Sequence, residues 1–81
     1  MSETHRLAEQ LVADLVAKNR TLTTVESCTG GLVFVTITDI VGSSAVMERG
    51  FITYSNQAKQ DLVGVAKETL IAHGAVSEEV A

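Results

Sequence analysis

Tryptophan is absent, tyrosine occurs once and phenylalanine twice in 81 residues, so any core is mostly aliphatic. The single cysteine, Cys28, excludes an internal disulfide, and there is no zinc-binding pattern of paired Cys or of Cys with a nearby His. A lone thiol fits a reducing, cytoplasmic setting. Basic residues are few and unclustered: six Lys and Arg against ten Asp and Glu leave a net charge of −4. That balance offers no electrostatic footprint for a nucleic-acid backbone or an anionic membrane. Met1 to Arg6 are polar and lead into an amphipathic pattern, so the chain opens with neither a signal-peptide apolar stretch nor a transmembrane run. No repeat, linker or low-complexity segment is present.

What is there is a 46% hydrophobic chain, enough for one small globular domain with little margin for a self-sufficient core. Leu7, Leu11 and Leu15 recur every four residues beside Ala8, Val12 and Val16, which predicts a helix from about Thr4 to Lys18. Asn19 can end it in a left-handed conformation, and the β-branched run Thr21 to Val25 predicts a strand. Leu32 to Thr38 scores as a buried strand on propensity, although Thr29-Gly30-Gly31 before it is a small, hydroxyl-bearing start typical of a strand-to-helix junction. The residues alone leave that segment open.

Gly42-Ser43-Ser44 marks a turn, and Val46 to Tyr54 reads as a second strand in which Gly50 is a candidate bulge. Ser55 or Asn56 can cap a short helix stopped by Gly64, and Lys67 to His73 forms another stopped by Gly74. Ser77 followed by Glu78 and Glu79 has the chemistry of a further helix start, cut short at Ala81.

The chemistry concentrates in Glu26-Ser27-Cys28-Thr29-Gly30-Gly31, two hydroxyls and a thiol between a strand and two glycines. Such a junction can present backbone N–H groups to a phosphate or to an oxyanion. As a bare pattern it is weak, because it has neither P-loop spacing nor a Gly-x-Ser-x-Gly elbow. Ser27 needs a base. His5 and His73 read better as surface or capping residues, whereas Lys59 sits near the head of a short helix, where the dipole disfavours a cation. If both strands share one parallel sheet, their carboxyl ends bring Ser27 and the Tyr54 to Lys59 segment to one edge, where open α/β sheets bind ligands. Read blandly, Lys59 is a solvated lysine, Tyr54 a core-edge aromatic, Glu26 a surface carboxylate and Cys28 a small buried hydrophobe.

Five blocks taken together resemble the CinA carboxy-terminal domain family in order and spacing. They are Glu26 to Gly31, Gly42 to Ser44, Tyr54 to Lys59, Leu62 to Val65 and His73 to Ser77. The resemblance runs from about Leu7 to the end. It implies an α/β fold, a three-layer α/β/α sandwich, with Leu32 to Asp39 helical, present here as the amino-terminal part of one domain over residues 1–81. It also implies metal-free and cofactor-free hydrolysis of the nicotinamide mononucleotide carboxamide to nicotinate mononucleotide and ammonia, a pyridine-nucleotide salvage step. By motif, Ser27 is the nucleophile, Lys59 its base and Tyr54 a polar partner, while Thr29, Gly30, Gly31 and Asn56 fall on the substrate. Val41 replaces a customary proline, and Val33 to Thr36 are bulkier than the family's usual residues. The later glycine-rich stretch and arginine of the family have no counterpart. The alternative is therefore a non-catalytic remnant that binds a nucleotide or a partner subunit. Apolar surface left uncovered predicts a homo-oligomer.

Overall fold

The computed structural model describes residues 2–81. Helix α1 (Glu3–Ala17) starts where Ser2 accepts the His5 N–H on its hydroxyl at 3.1 Å, and it ends beside Asn19, which takes the left-handed φ of 53°. Its stripe buries Ala8 and Val12. Strand β1 (Leu22–Glu26) pairs in parallel with β2 (Met47–Ile52), the two joined through helix α2 (Leu32–Thr38) and a 3-10 turn at Ser43–Ala45. Helices α3 (Asn56–Val63) and α4 (Lys67–His73) follow, stopped by Gly64 and Gly74. The α/β class is as the resemblance implies. No helix among the described residues is long and apolar enough to cross a membrane.

Alternation along β1 explains the layering. Leu22, Thr24 and Glu26 are covered, whereas Thr23 and Val25 are exposed, so one face of the sheet lies under α2, with α1 packed beyond it. Ala8 and Val12 of α1 meet Ile37, Ile40 and Val46, with Leu15, Leu22 and Met47 at the margin.

α2 forms against local preference, since five of its seven residues are β-branched. Thr36 and Thr38 turn their hydroxyls back onto the Leu32 and Phe34 carbonyls, at 2.7 and 3.0 Å, which satisfies the hydroxyls but does not favour the helix. Its support comes from elsewhere, in part from the Glu26 carboxylate that accepts the Val33 and Phe34 N–H groups. Burial of Ile37 supplies the rest. Val41 is 98% exposed, so the loss of a proline there disturbs no packing.

Two expectations change. The irregularity in the ladder falls between Leu22 and Thr23, where partner numbering jumps from Met47 to Arg49, so the bulge sits at Glu48 and not at Gly50. Gly50 is small for another reason: a Cβ there would lie 2.5 Å from Phe34 Cδ2 of α2. Gly50→Ala should therefore destabilise the fold by about 1–3 kcal/mol, with Phe34→Leu recovering part of the loss. Urea midpoints at matched protein concentration would check this, and an unchanged midpoint would remove the close-approach account. Second, β2 stops at Ile52, so Tyr54 lies beyond the strand on the segment leading into α3, and Asn56 is the first residue of that helix.

Candidate active site

β1 ends at Glu26, and the chain turns through Ser27 to Gly31 before entering α2. Gly31 occupies the cap position with φ 102°, a conformation open to glycine, and so offers α2 no capping side chain. That function falls to Glu26. Its carboxylate accepts the Thr29 hydroxyl at 2.7 Å and the Val33 and Phe34 N–H groups at 2.8 and 2.9 Å. Glu26 is 6% exposed, so the surface reading of this residue is wrong. The parity of the strand did carry a clue, since Glu26 shares a face with Leu22 and Thr24.

Burial disfavours the Glu26 anion, but the Thr29 hydroxyl and the N–H groups of Val33, Phe34 and Gly31 outweigh it and hold the carboxyl below its ordinary range. A depressed native value means a stabilising contribution present above the unfolded-state pKa and lost as pH falls through the native one. Glu26→Gln should flatten the acid limb of a stability profile from about pH 5 downward, where the unfolded-state carboxyl begins to bind its proton, and leave the profile above that range unchanged in slope. Parallel profiles for the two proteins would contradict this.

On the same end of the sheet, Ser55 caps α3 by accepting the Ala58 N–H at 3.0 Å, which places Lys59 in the first turn. Lys59 is 8% exposed, not solvated as its bland reading had it. Its Nζ donates to the Tyr54 backbone carbonyl at 3.0 Å, and no carboxylate pairs with it among the described residues. Tyr54 thus meets Lys59 through its main chain, while its side chain is exposed.

A depression of 530 Å³ gathers Ser27, Cys28, Tyr54, Asn56 and Lys59, with Ala75, Val76, Ser77 and Ala81 on its far side. An adjoining hollow of 440 Å³ shares Ser27 and Lys59 and runs over Val25, Val63 and Val65. Ser77 caps the final turn by accepting the Val80 N–H at 3.3 Å. Cys28 is an exposed free thiol, not a buried one, and its Sγ lies 3.8 Å from Ser27 Oγ. His5 and His73 sit away from this depression, beside Glu9 and Glu79 at 3.1 and 3.7 Å.

The remaining expected residues are placed differently. The Thr29 hydroxyl is committed to Glu26, and Gly30 and Gly31 line a separate 270 Å³ hollow with Phe34 and Ile52. The first-turn donors of α2 are also taken by Glu26, which leaves the N–H groups of Cys28, Thr29 and Gly30 without an acceptor among the described residues. The arrangement therefore supplies an alcohol and an amine on one open cleft, with Cys28, whose amide is unengaged, also on its lining, components that suit acyl transfer.

Residues 4–81 match the family described as the CinA C-terminal domain. The nicotinamide-nucleotide amidohydrolase PncC of Escherichia coli K12 is 60% identical over 79 residues, covering 98% of this chain and 48% of that protein. The competence/damage inducible protein CihA of Agrobacterium tumefaciens superposes with a TM-score of 0.98 at 46% identity, over 100% of this chain and 49% of its own. Competence damage-inducible protein A of Klebsiella pneumoniae gives 0.93 at 37% identity, over 98% and 49%. The chain thus spans about half the length of these relatives.

Proposed function

The chain belongs to the CinA C-terminal domain family, and from that premise we propose that it carries the nucleophile and base of a nicotinamide-nucleotide amidohydrolase. The observation that supports this most is the convergence of Ser27 and buried Lys59 on one cleft from two separate elements. In this reading, Ser27 Oγ attacks the carboxamide carbon while Lys59 Nζ takes the hydroxyl proton. Amide donors of the Ser27 turn face the developing oxyanion or the substrate phosphate. Lys59 returns the proton to the departing ammonia, leaving an ester on Ser27. Water, deprotonated by the same amine, then releases nicotinate mononucleotide. Asn56 and the Tyr54 ring, both on the cleft, contact the substrate.

The test is ammonia release from nicotinamide mononucleotide, with nicotinamide riboside as the comparison. The riboside lacks the phosphate and should bind far more weakly if unengaged amides hold that group. Equal affinities by calorimetry would remove the phosphate role, and turnover of neither compound would remove the substrate class.

A further inference from the structure

We propose that Glu26 is a positioning residue for this reaction: its carboxylate holds the turn that carries Ser27, and its backbone carbonyl ties that turn to the segment leading to Lys59. The inference rests on the reading of Ser27 and Lys59 as nucleophile and base. On the side-chain side, two carboxylate oxygens gather three donors from across the turn, namely Thr29 Oγ1 and the N–H groups of Val33 and Phe34. On the main-chain side, the Glu26 carbonyl accepts the Thr53 N–H at 2.7 Å, and Thr53 is 2% exposed. The next carbonyl along, that of Tyr54, is the one that receives Lys59 Nζ at 3.0 Å.

A single bonded path therefore runs from the first turn of α2 through Glu26 to Thr53, Tyr54 and the Lys59 amine. Ser27 is the residue immediately after Glu26, so both reacting groups are referenced to the same anchor. Capping α2 alone would need no such reach, because a hydroxyl at the cap position does that locally; here that position is Gly31, which brings none. The chemistry also requires an anion. An amide at position 26 would turn its NH₂ toward a backbone N–H, leaving at least one buried donor without a partner.

The 81-residue chain can be tested directly with a fluorophosphonate probe and mass spectrometry. Ser27 Oγ attacks phosphorus, fluoride leaves and the hydroxyl proton passes to Lys59, so the labelling rate reports the alignment of the pair without the natural substrate. Glu26→Gln should be labelled at Ser27 roughly tenfold to hundredfold more slowly, the scale of an ångström misplacement. Far-UV circular dichroism should be retained, and the pH profile should keep its shape because Lys59 is untouched. Glu26→Asp, which keeps both oxygens, should recover part of the rate, and Thr29→Val, which removes one donor, should fall between. Equal rates in Glu26→Gln and the parent overturn the positioning role and leave the Ser27–Lys59 reading standing. Rates that fall only in step with lost helicity across all three variants overturn it as well, since Glu26 would then serve the fold alone. A parent chain with no label on Ser27 overturns the nucleophile reading and this inference with it.

Discussion

Ser27→Ala should lower ammonia release from nicotinamide mononucleotide by roughly a thousandfold or more, and Lys59→Ala should fall about as far, because the two act as one unit. An alcohol is a poor nucleophile until its proton has a destination, and the amine that lines the cleft beside Ser27 is that of Lys59. The double substitution should be little worse than either single one. Lys59→Arg belongs in the same series. It keeps a long hydrogen-bond donor beside Tyr54, but a guanidinium does not deprotonate, so it should be as inactive as the alanine variant. Activity retained by Ser27→Ala and lost in Cys28→Ala would move the nucleophile to the neighbouring thiol.

The second large effect concerns association. A folded monomer of 8.6 kDa exposes about 4,700 Å², whereas this chain exposes 5700 Å². Its radius of gyration is 14.8 Å, against about 12 Å for a compact domain of this length. Among the described residues only Ala8, Val12, Ile37, Ile40, Val46 and Leu70 are buried apolar residues, while Val25, Leu32, Val35 and Ile71 are more than half exposed. At micromolar concentration, sedimentation should therefore find species heavier than the monomer, and the unfolding midpoint should rise with protein concentration. A compact monomer of 8.6 kDa with a concentration-independent midpoint would overturn this. The relatives, with about twice the length, have further chain with which to cover such surface.

Much of this architecture is legible in one dimension, and the reasons are local. The α1 stripe, the left-handed stop at Asn19, the Ser55 cap and the Gly64 and Gly74 stops each depend on residues within a turn of one another. Such features follow from steric and hydrogen-bonding rules that need no knowledge of the rest of the chain. The parallel sheet was a conditional reading: the residues left Leu32 to Thr38 open, the family resemblance made it helical, and two strands joined through a helix run in parallel when they pair. With that, Ser27 and Lys59 could be assigned to one edge before any distance was known.

What the tertiary structure decided is whatever depends on partners far apart in sequence. Leu32 to Thr38 has the composition of a strand, and only the Glu26 carboxylate, seven and eight residues away from the amides it receives, together with the bed that α1 offers Ile37, makes it a helix. The role of Gly50 is invisible without Phe34 above it. Burial likewise separated residues that look alike in the sequence, placing Glu26 and Lys59 inside and leaving Cys28 exposed. Local chemistry specifies where elements begin and stop because its forces act within a few residues. Which polar groups lose their water, and which partner replaces it, is settled only when separate elements close on one another.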